Sequence, residues 1–113
     1  MANCAEVWTE AQALGQAAAE KEDARLGPES IRGLDCGFAW VVVKPARGEL
    51  ATFLRDRKLA HKHHAGGLAI WYSACHGIGT QSVSVHCAAC RAVADVLTKA
   101  FPTYKIWTES RLD

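Results

Sequence analysis

The side chains best suited to chemistry are crowded into one stretch of the chain. Cys75, His76, Gly77, Ile78, Gly79, Thr80, Gln81 and Ser82 are followed closely by His86, Cys87 and Cys90. Thiolate and imidazole are zinc ligands, and a glycine loop between a strand and a helix can turn backbone N–H groups towards an anion. If zinc binds, Cys75, His86, Cys87 and Cys90 are the expected ligands, with His76 as an alternative from the loop and His61, His63 or His64 as a distant fourth. A second C-x-x-C or an H-x-x-x-H is missing, and structural knuckles place C-x-x-C in a tight turn rather than on a helix. The expectation is therefore no metal and no cofactor. On a helix, Cys87 faces away from the apolar stripe and Cys90 lies on its flank, so neither reads as a core residue.

Three further sets of residues invite a ligand. Cys87 falls in the first turn of its helix beside His86, where the positive end of the helix dipole favours a thiolate nucleophile. Gly77 and Gly79 form a candidate anion loop, although the stretch has neither the P-loop ending nor a full G-x-G-x-x-G. Arg55, Arg57, Lys58 and Lys62 make one basic run, interleaved with Asp56, His61, His63 and His64. Trp71 and Tyr72 follow it and could stack bases, the usual companion of a cationic groove that holds single strands. The plain alternative is a solvated helix end and loop.

The elements that must position these residues follow from hydrophobic periodicity. Residues 4–25 read as a helix with Val7, Trp8, Ala11, Leu14 and Ala18 on one stripe, stopped by Gly27 and Pro28. It is expected to be peripheral or an interface element. Residues 36–43 form the strongest strand, apolar on both faces and hence central, and Lys44-Pro45 ends it. Residues 49–58 read as a short helix burying Leu50, Phe53 and Leu54. Gly66 and Gly67 open a second strand over 68–73. Ser84 is the expected cap of a helix reaching residue 100, and residues 104–108 form a third strand. The sequence thus predicts a single α/β (or α+β) domain in the order α-β-α-β-α-β. Its three-stranded sheet is packed by helices through parallel crossovers, with an open edge available to a second copy.

Bulk properties exclude several classes. The chain has 113 residues, half of them hydrophobic, and a formal charge of +1. This fits one folded domain without a global pull towards nucleic acid or membrane. No apolar run approaches the roughly 20 residues of a spanning helix, and residues 1–6 lack a signal-peptide pattern. Five cysteines in no small disulfide framework suit a reducing cytosol.

The residues Asp35, Cys36, Gly37, Phe38, Ala39, Trp40 and Val41, then Gly66-Gly67 with Ile70-Trp71, Gln81-Ser82 and the terminal Ser110, Arg111, Leu112, Asp113 form a pattern. It resembles a group of short bacteriophage-encoded proteins of unknown function. The resemblance covers residues 35–113 and implies a phage or prophage origin and a role in the cytosol of an infected bacterium. Here Trp107, Thr108 and Glu109 stand where the group has a smaller, glycine-containing turn, and the Cys/His loop is not a feature of the group.

Three functions are carried forward. The first is a non-enzymatic phage accessory protein that binds a host or phage macromolecule, by a protein partner or by self-association, since four tryptophans exceed what a small core needs and Trp favours interfaces. The second is a nucleic-acid or nucleotide-phosphate binder using residues 55–64 and the loop 77–80. The third is an enzyme of unstated reaction with Trp71, Gln81, Ser82, Arg111 and Asp113 around one cleft. The reading leans against an enzyme.

Overall fold

The computed structural model describes residues 3–28 and 35–113. Its elements are α1 (Cys4–Leu26), β1 (Gly37–Lys44), α2 (Glu49–Asp56), β2 (His61–Lys62), β3 (Leu68–Trp71), α3 (Val83–Ala100) and β4 (Lys105–Leu112), with a 3-10 turn at Tyr72–Ala74 after β3. The sheet has four strands in the order β2-β3-β1-β4, and every pairing is antiparallel. The three strands and parallel crossovers expected from sequence are corrected accordingly. β2 is two exposed residues with no apolar alternation to announce it. The crossover from β3 through α3 to β4 does join two strands of the same direction, but β1 lies between them. From β1 onwards the chain is two interlocked split β-α-β units, the β-α-β-β-α-β arrangement.

The pleat sorts the side chains. On β1, Ala39, Val41 and Val43 join Leu68 and Ile70 of β3 in the core, with Val85, Ala89, Val93 and Leu97 of α3 and Leu50 and Leu54 of α2. Phe38, Trp40 and Val42 therefore point to the other face. Among the described residues the helices pack on one face only.

α3 starts two residues earlier than Ser84 would set it. Ser82 is its cap, accepting from Val85 N–H at 3.4 Å. The Asp35 carboxylate accepts from the Ser82 hydroxyl (2.9 Å) and from the hydroxyl and backbone N–H of Ser84 (2.6 and 3.2 Å). Backbone bonds from Gly37 N–H to Gln81 and from Val83 N–H to Asp35 complete a staple between the start of β1 and the start of α3. A Cβ on Gly37 would meet the Arg111 carbonyl at 2.4 Å and Val83 at 2.9 Å, so only glycine admits this approach.

α1 is capped by Asn3, whose side chain accepts from Glu6 N–H, and closed by Gly27. Its buried stripe is Trp8, Ala11, Gly15 and Ala19, rotated from the one read in sequence, and Leu14 is exposed. An alanine-rich helix offers little to choose between faces, and Gly15 decides. A Cβ there would lie 2.5 Å from the Cys75 carbonyl and 3.0 Å from Val93, so α1 seats tightly on α3 and the loop at 75.

Gly15→Ala sets two effects against each other. Helix propensity favours Ala by about 1 kcal/mol, while forcing a methyl against backbone typically costs about 1–3 kcal/mol. The near contact is a carbonyl that cannot swing away, so the variant is expected to be less stable. Chemical denaturation measures this, and a stabilised variant would show that α1 is not seated as described.

Candidate functional site

The open face of the sheet is a block of aromatic rings. Trp40 of β1 stands opposite Trp71 of β3 in the register, their rings stacked with centroids 5.4 Å apart and planes within 7°. Phe38 lies 5.6 Å from Trp71, and Tyr72 lies 5.5 Å from it on the other side. Across β1, Phe38 is paired with Arg111 of β4, whose guanidinium sits 5.4 Å from the Phe38 ring. Trp107 is opposite Val42 and lies beneath the Lys44 ammonium at 5.8 Å. Phe38, Trp40 and Trp71 are each half-buried, which leaves ring surface accessible to a ligand, whereas Tyr72 packs towards the helical side on His86.

One carboxylate organises this face. Glu109 Oε1 accepts from the Trp40 indole N–H (2.9 Å) and from His63 Nε2–H (2.9 Å). Its Oε2 accepts from the Trp107 indole N–H (3.1 Å). These bonds, led by that from Trp107, hold the Glu109 carboxyl below the usual carboxylate range although burial opposes them. Because a carboxylate only accepts, His63 donates to it from Nε2, while Nδ1 lies 3.3 Å from the Ala65 N–H nitrogen and 3.2 Å from the Gly66 carbonyl oxygen. His63 is 4% exposed, reaching over Ala69 and Val42 to Glu109. Gly66 and Gly67, with φ of 97° and 79°, make the turn that delivers it, and a Cβ on Gly67 would strike the Val43 carbonyl.

A groove of about 290 Å³ lies along the block, lined by Trp40, His61, Lys62, His63, His64, Ala69, Trp71 and Arg111. Indole faces form its floor, and imidazole, ammonium and guanidinium groups stand around it. Lys44, Lys105 and Arg111 outnumber Glu109 on this side, so the face is locally cationic in a nearly neutral chain.

The residues singled out from sequence are distributed as follows. Trp71, Arg111, Lys62, His61, His63 and His64 come together at the groove. Arg55 and Arg57 belong to the region of α2, where Arg55 donates to the Ala46 carbonyl and Arg57 lies over the Phe53 ring at 4.9 Å. Lys58 is exposed just beyond α2 with a φ of 58°. Gln81 and Ser82 serve the staple: Gln81 accepts from the Cys36 thiol at 3.3 Å, and Ser82 caps α3. Asp113 donates its N–H to the Cys36 carbonyl, extending the β1–β4 ladder by one bond. Gly77 and Gly79 are in the loop before α3, where Gly77 N–H donates to the Gln16 side chain at 2.8 Å. A Cβ at Gly79 finds open space and one at Gly77 meets only the Gln16 side chain at 3.9 Å, so neither marks a close-fitting cradle.

The Cys/His loop draws together two pairs. Cys75 and Cys90 are buried with sulfurs 3.9 Å apart. Cys90 is thus a core residue, contrary to its flank position in the sequence stripe, because α1 covers that side of α3. Cys87 is half-buried and borders a separate depression with Ser84, Arg91 and Arg111. His76 and His86 are joined by a 2.8 Å bond. His76 Nδ1 accepts from Ile78 N–H, so Nε2 donates to His86 Nδ1, and the His86 proton sits on Nε2. Among the described residues that buried Nε2 has no hydrogen-bond partner, and Tyr72 stacks on the ring at 3.6 Å. Among the described residues no group of three or more Cys, His, Asp or Glu is disposed to hold a metal ion.

Sequence reasoning missed Phe38, Trp40, Trp107 and Glu109 as one constellation. The available signal was alternation: Phe38 and Trp40 are two apart, as are Trp107, Glu109 and Arg111, so each set shares a strand face. No family model, curated protein or solved structure matches this chain.

The buried histidines make stability depend on pH. Burial, then the neighbouring His76, pushes His86 down to about 4 from 6.5, and burial also lowers His76. In that window the unfolded chain binds more protons, so stability is complete above about pH 6.5 and falls as the pH drops to about 4. Asp35 and Glu109, both lowered, add losses at still lower pH. The His86 shift alone is worth roughly 3 kcal/mol at 1.36 kcal/mol per unit. Urea midpoints should decline across this window and the decline should flatten in His86→Phe; equal slopes in the two proteins would contradict the assignment.

Proposed function

We propose that the protein binds single-stranded nucleic acid on the open face of its sheet. The observation that carries this reading is the stacked set Phe38, Trp40 and Trp71 on the central strands, with Arg111, Lys62 and His61 around it. Aromatic side chains on a four-stranded sheet hold two or three unpaired bases by stacking, while neighbouring cations follow the phosphates. A duplex keeps its base faces covered and would gain nothing from this arrangement. The groove beside Trp71 accommodates a base or sugar, and Arg111 at its edge is the cation placed to meet a phosphate. Every base has a π-face, so the reading is of modest sequence preference. It concentrates the earlier basic-run hypothesis on Lys62 and the histidines, and adds Arg111 from the C-terminal strand. Neither Arg57 nor the glycine loop takes part.

This is a special case of a small accessory protein that works by binding a macromolecule, the role for which the four tryptophans spoke in the sequence. Chemistry on the bound strand forms no part of the proposal, because Glu109, the one carboxylate among the rings, is fully engaged by three N–H donors.

Fluorescence anisotropy with short single-stranded RNA and DNA tests the reading. Trp71→Ala should weaken binding by about 1–3 kcal/mol, the value of one stacked base, or roughly 5- to 160-fold. Arg111→Ala, an exposed change, should weaken it less and flatten the salt dependence by about one phosphate contact, near 0.7 in slope. Arg57→Ala should have no effect. Binding that is absent at low salt, or indifferent to both Trp71 and Arg111, ends the proposal.

A further inference from the structure

The opposite side of the molecule carries a second surface. Between α1 and α3 runs a groove of about 640 Å³, with Val7, Leu14 and Val96 along it and Glu10, Lys21, Asp95 and Lys99 at its rims. Leu14 is 47% exposed, which is unusual for a leucine in the middle of a long helix with small neighbours. The stripe that seats α1 on its own chain is already used by Trp8, Ala11, Gly15 and Ala19. Positions 7, 10, 14, 17 and 21 form a different stripe, spaced by alternate threes and fours as in the seam of a helix pair.

The ends of that seam carry opposite charges, Glu10 at one and Lys21 at the other. They are three helical turns apart, about 16 Å at 1.5 Å per residue, too far to pair within one chain. A two-fold axis across the middle of the helix resolves this. It brings Glu10 of each copy to Lys21 of the other and sets Leu14 against Ala17 and Ala18. Isologous contacts of this kind need a self-complementary patch. Like charges at both ends would forbid it, and an unrelated partner would not require the two ends to match one another.

We infer that α1 is a self-association face, and that two copies pair through antiparallel α1 helices with Leu14 at the centre. The inference is independent of nucleic-acid binding. It also keeps the aromatic faces clear, since α1 lies on the helical side of the sheet, and a dimer would present two such faces outwards.

Light scattering on the full chain over a dilution series tests this, with circular dichroism to confirm folding. The mass should approach twice the 12.2 kDa chain and fall on dilution. Leu14→Asp, a change at an exposed position, should leave the helical signal intact and give a monomer. Glu10→Lys and Lys21→Glu should each raise the dimer dissociation constant roughly tenfold or more, since each sets like charges together. The double variant Glu10→Lys/Lys21→Glu should restore the dimer. A monomer throughout the series, a dimer insensitive to Leu14→Asp, or a double variant that stays dissociated would each overturn the inference.

Discussion

A four-stranded sheet has two faces, and among the described residues this chain has helices for only one of them. The other face must be made tolerable in water, and the structure does this with a single carboxylate. Glu109 holds the N–H groups of Trp40, Trp107 and His63. Without it, three donors would lose their acceptor in a half-buried setting, at about 1–3 kcal/mol for each that water fails to reach. With it, the indoles are fixed in one orientation, and His63 is drawn over the small residues Ala69 and Val42. What remains open is the part nearest Phe38, Trp71 and Arg111. A face that serves only to bury apolar area would be covered completely, whereas this one is covered over the half where His63 lies.

The residues singled out around Asp35, Gly66, Gln81 and the C-terminal strand divide into two physical groups. Asp35, Cys36, Gly37, Gln81, Ser82 and Asp113 make the staple that joins β1, α3 and the end of β4. Gly66 and Gly67 make the turn that positions His63. These contribute to folding. Phe38, Trp40, Trp71 and Arg111 form the accessible block. The staple explains why Gln81 and Ser82 look like site residues in sequence: small polar side chains at a helix start satisfy orphan N–H groups as readily as they bind ligands. The two roles meet at Gly37, which lets β4 and α3 approach closely enough to bring Arg111 beside Phe38.

Much of the fold was legible because periodicity reports burial. The run from Gly37 to Lys44, the stripe on α3 and the stop at Gly27 all fall where the apolar pattern and the turn residues put them. β2 was illegible because both its residues are exposed and its pairing depends on a turn. β4 reaches Leu112 rather than residue 108, since its last residues pair with β1 while their side chains stay polar. Strand adjacency was misread because a helix between two strands of the same direction gives no sign that a third strand lies between them. The site was legible in pieces. Trp71 and the histidines of the basic run were visible as candidates, but Trp40 read as the outer half of a two-sided strand. Glu109 was not among the candidates, because a hydrogen bond between strands leaves no spacing in the sequence.

The four tryptophans give four reporters of the central claim. Trp8 is buried between α1 and the core, Trp40 and Trp71 floor the groove, and Trp107 stands at its margin beside Lys44. The most direct measurement follows their indole N–H signals by NMR while a short single-stranded oligonucleotide is added. Trp71 and Trp40 should shift most, Trp107 less, and Trp8 should stay in place. No shift at Trp71 or Trp40 at saturating oligonucleotide, or a response dominated by Trp8, would contradict the assignment of the open sheet face as the binding surface.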